Sequence, residues 1–293
     1  MPSAPSTSVH IITAVPTPFT DAGQVDDAGA RALARALPET IHAAFVAGTT
    51  GEFPALSDDE RIGLIELMLA ELGPERVIAH VGAPSARQAA SLAARAVRAG
   101  AVRLAAITPY FLPAPEEGVR DYYRAIIDAG GVDTFAYLFP ERTGLEVTPA
   151  QLASLAELPA LTGAKLSGAA AAAFAEFAAA VPASFTMYSG NDDQLPEVVA
   201  AGGSGVVSGV SAAFPEPFLE QADALRRGDP AAVDRVRPTI ARLVPLVGPS
   251  IPALKLAVRH RLGLGAATRM ALATPDAGEV ALIEEAAAEF GPL

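Results

Sequence analysis

The chain has no cysteine, which excludes disulfides, thiolate metal ligands and a cysteine nucleophile together. Histidine is sparse: His10, His42, His80 and His260 lie far apart, and none falls in an HxH or HExxH pattern. A resident metal is therefore not expected. Basic residues are also few, with 21 Lys and Arg against 33 Asp and Glu and a formal net charge of -12. Such a surface repels a phosphate backbone, so nucleic acid is not expected as a partner. No stretch of about 18 uncharged apolar residues occurs, and the N-terminal MPSAPSTSVH lacks a basic segment followed by an apolar run. The expectation is no membrane association and a cytoplasmic location.

Apolar residues are plentiful, at 51% of the 293, enough for one large core. They come in short runs at 9–15, 43–48, 76–82, 102–108, 133–139, 161–166, 184–189 and 205–210. These runs are continuous rather than alternating, as in parallel strands covered on the outside by helices. Helical patterns separate them, for example 58–72 with Ser57 placed to cap it, and 86–100 ending on glycine. The alanine-rich 168–181, with Phe174 and Phe177 three apart, reads as one more helix. Eight βα repeats predict an α/β fold, a (β/α)8 TIM barrel. An open doubly wound sheet is the rival, but VPTPFTDAG after the first run has no GxGxxG or GxxxxGK[ST]. Residues 1–215 are expected to carry the barrel strands and their helices. Residues 216–293 are expected to carry the last barrel helix and a C-terminal helical extension.

Barrels of this class do their chemistry at the C-terminal ends of the strands. There the sequence places AGTTGEF (47–53), ITPYFLP (107–113), YLFPERTG (137–144), AKLSG (164–168) and YSGNDD (188–193). Lys165 sits between small residues at the end of an apolar run. Burial lowers the pKa of a lysine, by about 3–5 units when complete, and a neutral amine attacks a ketone or aldehyde to form a Schiff base. A lysine there can equally snorkel to the rim or pair with Asp192 or Glu52. Tyr137, on the adjacent strand, can relay protons or simply pack with its hydroxyl satisfied. Thr49 and Thr50, flanked by Gly48 and Gly51, offer hydroxyls and backbone N–H groups to a carboxylate, or form only a tight turn. Arg142 on the rim can grip a second carboxylate or a hydroxyl-rich tail through its planar fork, although exposed arginines are common.

The ordered set GTTGE, TPY, Y..P..TG, G.K..G and SG.D resembles the dihydrodipicolinate synthase and N-acetylneuraminate lyase family over nearly the whole chain. The resemblance implies a cofactor-free barrel enzyme that forms a Schiff base with pyruvate or a 2-keto acid. It makes Lys165 the imine-forming lysine and Tyr137 the proton-relaying tyrosine. Thr49 and Thr50 surround the keto-acid carboxylate, with Thr50 also in the relay, and the Val207 backbone lies near pyruvate. Arg142, Asn191, Asp192 and Tyr110 are the further substrate-binding candidates. The resemblance also implies a homo-oligomer, a dimer or tetramer meeting near the 107–113 loop.

Two departures bear on substrate and regulation. The synthase branch usually has TPYY, whose second tyrosine completes the relay in a neighbouring subunit; here Phe111 follows Tyr110, and a phenylalanine carries no proton. Arg142, in contrast, matches the synthase branch. A lyase or aldolase of 2-keto acids is therefore expected. A dihydrodipicolinate synthase using aspartate semialdehyde, a keto-deoxy sugar acid dehydratase and a non-catalytic keto-acid sensor are the alternatives. The positions that bind inhibitory lysine in many bacterial synthases align with Phe53, Asp58, Pro84 and Gln88, so feedback inhibition by lysine is expected to be absent.

Overall fold

A computed structural model describes residues 9–293. Residues 1–8, on which most of the N-terminal leader reading rests, lie outside the described residues. Eight strands form one closed barrel in chain order: β1 His10–Ala14, β2 Ala43–Val46, β3 Val77–His80, β4 Arg103–Ile107, β5 Asp133–Leu138, β6 Leu161–Leu166, β7 Thr186–Ser189 and β8 Gly205–Ser208. Every neighbouring pair is parallel, and β1 closes on β8 through Ile12 opposite Val207. Closure leaves no strand edge open. Each expected run contains one strand, shortened at its ends where the chain turns off the sheet.

The connecting helices are α1 Asp27–Ala36, α2 Asp58–Leu72, α3 Ala86–Arg98, α4 Glu116–Gly130, α5 Pro140–Thr143, α6 Pro149–Leu155, α7 Ala169–Ala172, α8 Phe174–Ala180 and α9 Leu195–Ala200. Ser57 caps α2 in a reciprocal capping box with Glu60, which satisfies orphan N–H groups of the first turn and fixes where the helix starts. The alanine-rich segment departs from expectation. It breaks at Ala173 (φ -94°, ψ 21°) into α7 and α8. Alanines present little area to hold a straight helix to the barrel, whereas Phe174 and Phe177 must both be buried, and both are.

After β8 the chain is helical: α10 Pro215–Arg227, α11 Pro230–Val247, α12 Ile251–Leu262 and α13 Ala277–Phe290. Helix α10 packs on β1, and α11 to α13 pack on one another. Between α12 and α13, residues 263–276 form an irregular strap that carries Met270, Leu272 and Ala273 to the barrel mouth. Among the described residues no single helix is long and apolar enough to cross a membrane.

The barrel interior is apolar and aromatic, with Ile12, Phe45, Ile78, Phe135, Tyr137, Tyr188 and Val207 in one buried cluster. Phe135 occupies the space beside Gly163, where a Cβ would stand 2.5 Å from its ring. The register puts Tyr137 of β5, Lys165 of β6 and Tyr188 of β7 side by side on this inner face.

Candidate active site

Lys165 lies one residue from the end of β6 and is 7% exposed. Its Nζ stands 4.2 Å from the centroid of the Tyr137 ring and 4.9 Å from that of Phe45. The aromatic faces stabilise a cation without neutralising it. The carboxylates that could have paired with this lysine do other things. Glu52 pairs with Lys255 of α12, and Asp192 lines the same cavity without an ion pair to Lys165. No salt bridge involves Lys165 among the described residues.

Tyr137 is buried, and its hydroxyl lies 3.2 Å from Thr49 Oγ1. Thr49 and Thr50 sit on a turn held open by two left-handed residues, Ala47 (φ 53°) and Glu52 (φ 54°). Such a conformation persists only where its surroundings enforce it. Here His80 Nδ1 donates to the Ala47 carbonyl at 2.8 Å while its Nε2 accepts from the Ile107 N–H. Those two bonds require the neutral imidazole, and complete burial drives the His80 pKa well below its ordinary value in the same direction. Thr17 Oγ1 donates to the Gly51 carbonyl from the other side.

These groups open into a cavity of about 430 Å³. Thr49, Thr50, Tyr137, Arg142, Lys165, Asn191, Asp192 and Val207 all face it, so eight of the nine sequence candidates converge. Tyr110 is the exception. It lies half-buried in an adjoining hollow, edge-on to Phe53 at 5.9 Å between ring centroids. Phe111 projects outward, 89% exposed with φ 81°, followed by Leu112 at 71%.

The charge pattern of the cavity is mixed. Arg142, on α5, lies over the Phe139 ring at 5.6 Å, exposed and without an ion-pair partner among the described residues. Burial pushes the Asp192 carboxyl up to about 6, against the opposing effects of the Ser208 hydroxyl, the Val210 N–H and the Lys165 charge. Its Oδ1 is shielded from water and has no hydrogen-bond partner. Among the described residues no three His, Asp or Glu side chains gather as a metal site. What the cavity offers is an amine, a phenol bonded to a hydroxyl, a threonine turn and one free guanidinium.

The model of the dihydrodipicolinate synthetase family matches residues 7–269. The chain belongs to that family. It is 32% identical over 240 residues to a 4-hydroxy-tetrahydrodipicolinate synthase from Exiguobacterium, covering 81% of this chain and 80% of that protein. A synthase of the same name from Methylococcus capsulatus is 34% identical over 227 residues, covering 77% and 78%. Among solved structures, YagE, a prophage protein of the dihydrodipicolinic acid synthase family from E. coli K12 in complex with pyruvate, superposes with a TM-score of 0.88 at 26% identity, covering 96% of this chain and 98% of that one.

Within this dihydrodipicolinate synthetase family chain, four features of the site escape sequence reading. The first is Gly190, whose absent Cβ would stand 2.9 Å from Lys165 Cε and 2.1 Å from Ser167 Oγ, so the lysine stem lies against bare backbone. The second is His80, isolated in sequence and central to the turn. The third is the Glu52–Lys255 pair, joined across 203 residues. The fourth is the far wall of the cavity, formed by Pro249, Ser250, Ile251, Leu272 and Ala273 of the helical tail. Only the tightness of the GTTGE turn has a trace in the sequence, in its two glycines, whereas the left-handed residues themselves are Ala47 and Glu52. Of the four positions expected to have lost lysine binding, Phe53 is buried, Asp58 accepts from Gln88 Nε2 at 2.8 Å, and Pro84 is exposed.

Proposed function

We propose that this protein is a class I lyase or aldolase that joins or splits 2-keto acids of the pyruvate type through an imine on Lys165. The observation that carries the reading is a buried amine lying on the Tyr137 ring, with the Tyr137 hydroxyl already bonded to Thr49. Thr49 and Thr50 hold the substrate carboxylate. Lys165 Nζ adds to the C2 carbonyl, and loss of water gives the iminium. In the cleavage direction Tyr137 takes the proton of the C4 hydroxyl, the C3–C4 bond breaks, and its electron pair moves into the iminium to leave an enamine. The aldehyde departs. Protonation at C3 and hydrolysis then release pyruvate and regenerate the amine.

A second reading, condensation of pyruvate with aspartate semialdehyde, is supported by the names of the relatives and by the unpaired Arg142, which suits an aldehyde carrying its own carboxylate. Product analysis separates the two. The exposed Phe111 and Leu112 support a homo-oligomer, dimer or tetramer, that meets through this loop. Free lysine is expected to leave the rate unchanged, and a dose-dependent fall would count against the alignment at Phe53 and Pro84.

The imine reading is tested by incubating the protein with pyruvate and borohydride and locating added mass by peptide mass spectrometry. A reduced adduct on Lys165, absent in Lys165→Ala, is the expected result. No adduct with pyruvate or with longer 2-keto acids would overturn it and favour a keto-acid sensor.

A further inference from the structure

Beside the Lys165 cavity lies a second hollow of about 200 Å³, and the two share Thr49, Arg142, Ile251 and Leu272 as common wall. Their chemistry differs. Around Lys165 polar side chains, among them Thr49, Thr50, Ser167, Asn191, Asp192 and Ser250, share the wall about evenly with apolar ones such as Phe139, Val207 and Pro249. The second hollow is bounded by Phe53, Pro54, Ile107, Ile251, Met270 and Leu272.

The carboxylate that borders this hollow is already engaged. Glu52 Oε1 accepts from Lys255, and its Oε2 accepts from the N–H groups of Arg269 and Met270. The remaining polar groups are the Tyr110 hydroxyl and the Thr49 and Thr143 side chains, with Arg142 at the junction. Thr143 Oγ1 is bonded to the Phe139 carbonyl at 3.1 Å. A tail carrying several hydroxyls would leave most of them without partners here. A hydrophobic tail brings no polar groups that need partners.

The walls are also fixed. Arg269 binds the carbonyls of Gly23 and Ala55 and both carboxylate oxygens of Glu60, and Lys255 binds the carbonyl of Ala267. These contacts hold the strap that supplies Met270 and Leu272. An apolar cavity of about 150 Å³ is enough to take a benzene molecule, so a hollow of this size admits an aromatic ring or a branched alkyl chain.

We infer that this hollow is the subsite for the C4 substituent of the substrate, and that the enzyme acts on 4-hydroxy-2-keto acids carrying a hydrophobic group at C4, or joins pyruvate to the corresponding hydrophobic aldehyde. The inference rests on the imine reading above and names its substrate class. Arg142, at the junction, faces the oxygen borne by C4, and the apolar walls take what lies beyond it.

The test uses the full chain with pyruvate and two pairs of aldehydes, benzaldehyde and 3-methylbutanal against glyceraldehyde and aspartate semialdehyde. Borohydride trapping of pyruvate alone on Lys165 is run first. The expected result is trapping, with a kcat/KM for the hydrophobic pair at least about tenfold above the polar pair, the range over which apolar pockets discriminate. Leu272 is 37% exposed on the strap, so Leu272→Asp should fold. It should lower the hydrophobic-to-polar ratio by about tenfold or more, and the use of a ratio cancels the intrinsic reactivities of the aldehydes. Trapping with a ratio below about tenfold, or a ratio that Leu272→Asp leaves unchanged, overturns the subsite while leaving the lysine chemistry standing. Absence of trapping overturns both.

Discussion

Lys255 of α12 donates to Glu52 of the GTTGE turn at 2.5 Å, and the two side chains are 2% and 0% exposed. The pair joins the turn bearing Thr49 and Thr50 to the helical tail, and the second oxygen of Glu52 holds the strap through two backbone N–H groups. Burial pushes the lysine pKa down while the carboxylate pushes it back up.

Removing one partner of such a pair leaves an uncompensated buried charge. Lys255→Met is therefore expected to cost about 3–5 kcal/mol in urea unfolding. Glu52→Gln should cost at least as much, because once the amide oxygen accepts from Arg269 and Met270 the amide NH2 faces the Lys255 ammonium, donor against donor. The double variant should be less destabilised than the sum of the two, and strict additivity in that cycle would show that the contact contributes no coupling.

The proton relay is tested separately from the fold. Tyr137→Phe keeps the ring beneath Lys165 and removes only the hydroxyl bonded to Thr49. Stability should fall by no more than about 1 kcal/mol. The rate of trapping with pyruvate should fall by about 10²–10⁴, the usual worth of a placed proton-transfer group. A wild-type trapping rate in this variant would assign the relay to another group.

How far these features were legible depends on their range. The barrel was readable because each strand carries its own apolar run and each crossover its own helical pattern. That Lys165, Tyr137 and the threonine pair lie together at the barrel mouth was readable because strand ends and glycine turns are local signals, while the roles expected of them came from the family resemblance. The break at Ala173 was not, because it answers to where Phe174 and Phe177 find space on the barrel. Neither were Glu52 with Lys255, Gly190 against Lys165, or the Met270 and Leu272 wall, since each depends on segments brought together only by closure of the sheet. Tyr110 shows the intermediate case: the motif placed its loop at the barrel mouth, but the side chain lines the neighbouring hollow and not the Lys165 cavity.

Gly190 is predicted to matter through the lysine stem. A methyl group there would meet Lys165 Cε at 2.9 Å and Ser167 Oγ at 2.1 Å, both on movable side chains, with the Leu166 carbonyl at 3.2 Å the one backbone neighbour, so Gly190→Ala should fold. The side chains must then give way. A misplacement of about 1 Å at a reacting group costs on the order of 10²-fold, so adduct formation should slow by about that factor with little change in the unfolding midpoint. An unchanged adduct rate would show that the lysine has slack in this direction.

Asp192 gives the molecule a pH dependence whose sign follows from its environment. Its carboxyl is raised to about 6 by burial, from an ordinary value near 3.8. Between about pH 4 and 6 the folded chain therefore holds a proton that the unfolded chain has released, and stability from this group falls as pH rises through that window. Above about 6 the charge is present in both states and its burial cost is fully felt; below about 4 the group is neutral in both and the cost vanishes. Asp192→Asn, which keeps the shape without the charge, should thus be more stable than the parent at pH 8 by on the order of 1–2 kcal/mol. The difference should disappear by about pH 4 in urea titrations of the two proteins. A destabilised Asn variant at pH 8 would mean that the Lys165 charge and the Ser208 hydroxyl outweigh the burial of the carboxylate, and would make Asp192 a structural counterion of the lysine.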